Sequence, residues 1–321
     1  MVNLSNSKPN VLCLMGPTAS GKTGMAVELV QRFGFDIINV DSAQVYRGMD
    51  IGTGKPDRAT LNEAPHRLLD IKDPSEPYSA SDFRVDALHE IAHILSVGKT
   101  PLLVGGTMLY FKVLRDGLAA MPQADAGVRV EIDSIAKEKG WEEVHQWLES
   151  VDPKSAARIH PNDLQRLQRA LEIYLISGKP MSQFYMEDQA RKAQENESLP
   201  FNLHFFAIQP ADRELLHQKI EIRFRQMLAE GLLEEVSGLF QRNDLNETLP
   251  SIKSVGYRQV WQHLAGDLSY DAMVERSIIA TRQLAKHQLT WLRSWENLRS
   301  LDDPSDKSID SVLKYVESIS I

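Results

Sequence analysis

Cysteine is almost missing from this chain of 321 residues: Cys13 is the only one. One cysteine excludes an internal disulfide and any cysteine-based metal cluster, and it suits a reducing compartment, so a cytoplasmic location is expected. Long apolar runs are missing too. Nothing approaches the roughly 20 residues that a membrane-spanning helix requires, and the polar start at Met1–Asn10 lacks the basic and apolar regions of a signal peptide. There are no internal repeats and no low-complexity tract. A basic surplus is also lacking, with 36 Lys and Arg against 44 Asp and Glu. That balance argues mildly against a dedicated nucleic-acid binder. A basic face can nevertheless sit on an acidic body, so the distribution of charge matters more than its sum.

What remains is an ordinary globular composition, 42% hydrophobic and 25% charged, which points away from disordered and fibrous classes. The length suits one large domain or two modest ones. Short apolar runs alternate with amphipathic stretches over the first hundred residues, the pattern of βαβ units around a parallel sheet. Val11–Met15 reads as a buried strand, Gly21–Phe33 as a helix, Asp36–Val40 as a second strand and Arg67–Ile71 as a short third. Helical spacing follows over Asp82–Ser96, with Ser81 or Asp82 as its cap, and then a strand at Pro101–Val104 that ends in Gly105-Gly106.

Near Gly117 the character changes. From there to Leu199 the segment is charged and helical, with Asp163–Ile176 the clearest helix and Met186–Ser198 polar enough to be a mobile loop. A β-like run returns at Leu203–Ile208. A long helix capped by Asp212 comes next, then helices around Ser254–Ala265 and Asp271–Trp295.

Between the first strand and helix lies Gly16-Pro17-Thr18-Ala19-Ser20-Gly21-Lys22-Thr23, a complete G-x-x-x-x-G-K-[ST] motif. Inward-facing backbone amides and the positive end of the following helix would cradle phosphates. Lys22 adds a full charge, and the Thr23 hydroxyl can ligate a phosphate-bound Mg2+. A chance match is disfavoured by the strand-to-helix context. The predicted fold is therefore α/β: a P-loop NTPase-like parallel sheet flanked by helices, built from residues 1–116 and 200–321. An all-helical insertion domain, 117–199, interrupts it.

Asp41 follows the second strand directly, at the rim where open α/β sheets bind ligands. It reads as a general base or magnesium partner, or else as a turn aspartate. Thr107, after Gly105-Gly106, lies on the same rim and offers a hydroxyl, or simply ends a strand. Toward the C-terminus, six basic residues (Lys253, Arg258, Arg276, Arg282, Lys286, Arg293) stand against three acidic ones between Ser251 and Arg293. Arg282, Lys286 and Arg293 share a helical face, suited either to an RNA backbone or to solvent. Arg223, inside the long helix after Pro210, is placed to reach back to the phosphate loop or to pair along its own surface.

Four stretches together carry a resemblance. They are residues 16–23, Asp-Ser-Ala-Gln-Val-Tyr-Arg-Gly-Met-Asp-Ile-Gly-Thr at 41–53, Leu-Val-Gly-Gly-Thr-Met-Leu-Tyr at 103–110 and Ser-Val-Gly-Tyr-Arg-Gln at 254–259. Pro65-His66-Arg67-Leu68 and Arg282-Gln283-Leu284-Ala285-Lys286 add to them. On these residues the chain resembles the bacterial tRNA dimethylallyltransferases (tRNA isopentenyltransferases), from about Val11 to Trp295.

The resemblance implies an enzyme that moves a dimethylallyl group from dimethylallyl diphosphate to the exocyclic amine of adenosine 37, beside the anticodon. It puts the diphosphate in the loop Gly16–Thr23, makes Asp41 the base with Thr107 beside it, and gives Arg223 the task of holding the diphosphate. It implies tRNA contacts at Asp41, Ser42, Ala43 and Gln44, at Gln165, Arg166, Leu167, Gln168 and Arg169, and at Lys253, Ser254, Val255, Gly256, Tyr257 and Arg258. The basic residues Arg282 and Lys286 join this set. Mg2+ is the expected cofactor, the tRNA anticodon stem-loop and dimethylallyl diphosphate are the expected partners, no membrane is involved, and the chain is expected to be a monomer. Arg47, Asp50 and His66 fall near the site without separate roles. The rival reading is a small-molecule kinase, because the same loop commonly serves phosphoryl transfer.

Overall fold

The computed structural model describes residues 8–195 and 198–319. The chain forms two compact units, one of Met1–Gly117 with Leu199–Ile321 and one of Leu118–Ser198.

The first unit opens with β1 (Asn10–Met15), α1 (Lys22–Phe33), β2 (Asp36–Val40), α2 (Arg58–Glu63), β3 (His66–Arg67), α3 (Ala80–Ser96), β4 (Pro101–Gly105) and α4 (Met108–Asp116). The second unit holds α5 (Ala126–Lys139), α6 (Trp141–Val151), α7 (Pro153–Ala156), α8 (Leu164–Ser177) and α9 (Met181–Glu195). Returning to the first, the chain adds β5 (Asn202–Ile208), α10 (Arg213–Ala229), α11 (Leu232–Phe240), α12 (Tyr257–Leu264), α13 (Tyr270–Arg293), β6 (Leu298–Leu301) and α14 (Asp306–Ser318).

The six strands make one parallel sheet in the order β3-β2-β4-β1-β5-β6. Both faces are covered, which is why β1 reads as an unbroken apolar run rather than an alternating one. Leu12 and Leu14 pack with Met25 and Leu29 of α1 and with Val312 of α14. Val11, Cys13 and Met15 face the larger core, with Phe83 of α3 and Phe111 of α4. Burial pushes the Cys13 thiol well above its ordinary range, so it is a packing residue. Because β1 is central, the loop at its carboxyl end opens between the ends of β4 and β5, where open sheets hold ligands.

Several boundaries differ from the sequence reading. β3 is only two residues long. α3 starts at Ala80, because Ser79 accepts the Asp82 amide while the Asp82 carboxylate takes the Ser79 amide, a capping box two to three residues before the expected cap. The expected loop from Met186 is instead the continuation of α9 to Glu195; residues 196–197 of that expectation lie outside the described residues. Glu, Gln, Ala, Arg and Lys dominate there and pair along the helix, as Lys192 does with Asp188 and Gln183 with Glu187. Polarity there marks solvent exposure of a good helix former, not irregular backbone. α2, β6 and α14 were not anticipated; β6 has four residues, two of them exposed, and its pairing with β5 is visible only in three dimensions.

In the second unit, Ile132, Val144, Leu148, Leu167 and Leu171 form the core. Among the described residues no helix is long and apolar enough to cross a membrane.

Candidate active site

A cavity of about 170 Å³ opens at the carboxyl end of the sheet. The loop between β1 and α1 forms its floor. Ala19 takes a left-handed conformation there, φ 61°, uncommon for a residue with a side chain and typical of a turn that faces its amides inward. Lys22 opens α1 and lays its amine back over the loop, donating to the Pro17 carbonyl at 2.6 Å. Lys22 is half-buried and lines the cavity. Desolvation pushes its pKa down to about 7, with Asp41 pulling the other way and Arg223 adding to the depression.

Asp41 is carried in by the end of β2. Its Oδ1 accepts the amides of Ala43 at 2.9 Å and Gln44 at 3.4 Å, so the 41–44 turn is pinned by the carboxylate itself. The opposite oxygen is not used in this turn. Thr107 faces the same turn from the start of α4. Its hydroxyl oxygen accepts the Ser42 amide at 3.0 Å and its hydroxyl lies 3.4 Å from the Ser42 Oγ. Thr107 is thus a support for the Asp41 turn.

Arg223 comes from the middle of α10, 182 residues along the chain from Asp41. Desolvation lowers its pKa while the Asp41 charge works against that. Asp41 is therefore felt by both Lys22 and Arg223, and the three form one electrostatic cluster. The close approach is made possible by Gly54, at φ 61°. A Cβ there would sit 1.7 Å from the Arg223 Nη2 and evict the guanidinium. Gln44 holds this segment by donating its side-chain amide to the Thr53 and Gly54 carbonyls, at 3.1 and 3.2 Å.

The side contributed by α10 is largely apolar around Arg223. Ile220, Phe224 and Met227 line the cavity from α10, on the same helical face as Arg223. Sequence reading singled out Arg223 and passed over these three, although their i, i+3, i+4, i+7 spacing around it is the signal that would have found them. Sequence reading also missed Glu235. Its carboxylate accepts the amides of Asp50, Ile51 and Gly52, at 2.8, 2.8 and 3.1 Å, and the Tyr257 hydroxyl at 2.5 Å.

The residues expected to meet tRNA divide sharply. Ser42, Gln165, Arg166, Lys253, Arg258 and Lys286 are exposed, while Ala43, Ser254 and Val255 are half-buried along or near the cavity. Leu167 and Tyr257 are fully buried: Leu167 belongs to the core of the helical unit, and Tyr257 packs under Gly52 with its hydroxyl on Glu235. Their side chains serve packing, and Gly256 beside Tyr257 is buried as well. Gln168 is taken up by Asp133 at 2.7 Å, and Arg282 by Glu221 at 3.0 Å.

Arg169 has a structural duty. Glu172 is fully buried, accepting from Arg169 at 2.7 Å, from Arg129 at 2.8 Å and from the Asp125 amide at 2.8 Å. Burial alone would raise this carboxyl, but the two arginines hold it below its ordinary value. Arg169→Ala is accordingly expected to destabilise the protein by roughly 2–3 kcal/mol, because a buried charge loses one of its partners. Chemical denaturation of the variant, with Arg166→Ala as the exposed control, checks this; equal stabilities would assign Arg169 to the surface instead.

A family profile described as IPP transferase matches residues 44–295. The chain belongs to this family. A full-length tRNA isopentenylpyrophosphate transferase from Bacillus halodurans is 34% identical, with a TM-score of 0.70 over 97% of this chain and 96% of that one. A tRNA delta(2)-isopentenylpyrophosphate transferase from Staphylococcus epidermidis is 31% identical, with a TM-score of 0.68 over 98% and 100%. A eukaryotic dimethylallyltransferase, captured acting on tRNA, is 26% identical, with a TM-score of 0.76 over 98% of this chain and 78% of its own.

Proposed function

We propose that this chain transfers a dimethylallyl group from dimethylallyl diphosphate to the exocyclic amine of adenosine 37 in the tRNA anticodon loop, releasing diphosphate. The observation that carries the reading is one cavity holding both kinds of wall. The anion-binding loop, Lys22 and Arg223 suit a diphosphate, and Ile220, Phe224 and Met227 suit the five-carbon chain attached to it.

The reaction forms a bond between the adenine nitrogen and the first prenyl carbon and breaks the bond from that carbon to the diphosphate oxygen. The electron pair leaves with the diphosphate, where Lys22, Arg223 and the loop amides take up the charge. The amine is a poor nucleophile because its lone pair is conjugated with the ring, so Asp41 accepts its proton as the new bond forms. The base must leave its stack to enter the cavity, and a single-stranded loop makes that cheaper than a duplex would.

The donor set also suits Mg2+. Among the described residues no group of three or more His, Cys, Asp or Glu could hold a metal by itself. The exposed Thr23 hydroxyl beside the diphosphate loop is the hard oxygen donor that would share the ion with substrate phosphates. When bound, the ion adds positive charge against the leaving group.

The reading includes a monomer, in keeping with one chain supplying Lys22, Asp41 and Arg223 alike, and a cytoplasmic location, in keeping with a tRNA substrate. The kinase reading is not favoured, because it leaves the apolar wall on α10 without an occupant. Incubation with tRNA, dimethylallyl diphosphate and Mg2+ in the absence of ATP is expected to yield prenylated adenosine, detected by nucleoside mass spectrometry. Product that appears only with ATP, or none at all, would overturn the assignment.

A further inference from the structure

Gln288 lies on α13, two residues beyond the exposed Lys286, and its side chain reaches into the cavity region. Its Oε1 accepts the backbone amide of Thr18 at 2.9 Å, and its Nε2 donates to the carbonyl of Gly106 at 2.9 Å. One partner is a donor and the other an acceptor, so the orientation of the amide is fixed by chemistry. The packing is close: a Cβ on Gly106 would come within 2.4 Å of the Gln288 nitrogen. Gln288 thus ties together two loops that have no sequence proximity.

Each loop belongs to a different half of the reaction. Thr18 is in the loop that would hold the diphosphate. Gly106 immediately precedes Thr107, whose amide donates to the Val40 carbonyl at 3.2 Å and whose hydroxyl oxygen accepts from Ser42, beside Asp41. The path from Gln288 therefore runs one way to the leaving group and the other way to the base.

We infer that Gln288 is a positioning residue for prenyl transfer, setting the separation between the diphosphate loop and the Asp41 turn; this rests on the function proposed above. A displacement reaction needs the nucleophile and the leaving group held at a near-attack distance, and a shift of about 1 Å costs on the order of a hundredfold in rate. The neutral amide meets a donor and an acceptor at once. Glutamate would keep the bond to Thr18 but turn an oxygen on the Gly106 carbonyl and bring a negative charge beside the diphosphate. Methionine has nearly the same shape and makes neither bond.

The test compares wild type, Gln288→Met and Gln288→Glu by single-turnover prenylation, by calorimetric binding of inorganic diphosphate, by filter binding of tRNA and by amide hydrogen exchange at Thr18. For Gln288→Met the expected result is a fall in the single-turnover rate of about ten- to a hundredfold. The diphosphate Kd should change by less than about threefold, the tRNA Kd should stay unchanged, and exchange at Thr18 should be about tenfold faster. Gln288→Glu should in addition weaken diphosphate binding, through like-charge repulsion.

A Gln288→Met enzyme with a wild-type rate, or a rate loss matched by an equal loss of folded protein or of tRNA binding, overturns the inference. So does unchanged exchange at Thr18, a readout that needs no activity. Wild-type protein that makes no prenylated adenosine overturns the functional reading instead, and is distinguishable on that ground.

Discussion

An Asp41→Asn enzyme is expected to bind tRNA as wild type does and to prenylate it at least about a hundredfold more slowly, the range associated with losing a general base. Asparagine keeps a carbonyl oxygen where Oδ1 now accepts the amides of Ala43 and Gln44, so the turn survives the change. What is lost is the capacity to take a proton, together with the negative charge that Lys22 and Arg223 both feel. Asp41→Ala removes the pin as well and is expected to be worse. It would also loosen Gln44, which holds Gly54 and, through it, the place of Arg223. The pair of variants therefore separates chemistry from scaffolding. Single-turnover rates with enzyme in excess over tRNA, alongside filter binding of the same tRNA, provide the comparison. If the asparagine enzyme kept a rate within about threefold of wild type, Asp41 would be a turn residue and the base would have to be found elsewhere.

What could be read from the sequence, and what could not, follows from how far apart the interacting residues lie. The loop at Gly16–Thr23 was legible because its parts are contiguous: a strand, a turn with glycines at both ends, and a helix that begins with Lys22. Asp41 and Thr107 were legible as strand ends on one rim. The resemblance set Thr107 beside Asp41, but the link through Ser42 was not legible, since β2 and β4 come into register only in the sheet. The approach of Arg223 to Gly54 and the bridge from Gln288 to Thr18 join residues 169 and 270 positions apart. No periodicity signals such a contact. Charge was a weak guide for a related reason. Arg169 and Arg282 looked like phosphate-facing residues, yet each is held by a glutamate, Glu172 and Glu221. Lys253, Arg258 and Lys286 carry the same charge in the open, and only burial tells the two groups apart.

Lys22→Met is expected to slow prenyl transfer by about a hundred- to a thousandfold, the loss found when a preorganised group facing developing charge is removed. Its pH signature makes the role specific. Desolvation depresses the Lys22 pKa to about 7. A bound diphosphate favours the ammonium form and raises that pKa again. Below about pH 7 the amine is already charged, and Lys22 adds no pH dependence to binding. Above that point binding must bring a proton with it, so affinity falls as pH rises, by up to about tenfold per unit until the pKa of the bound form is reached. Calorimetry of inorganic diphosphate at pH 8, run in buffers with different ionisation heats, should therefore show uptake approaching one proton in wild type. The methionine variant subtracts whatever the diphosphate itself contributes. Equal proton uptake in the two proteins would mean that Lys22 meets the diphosphate with its charge already in place. The attraction of Asp41 would then outweigh desolvation and the repulsion of Arg223.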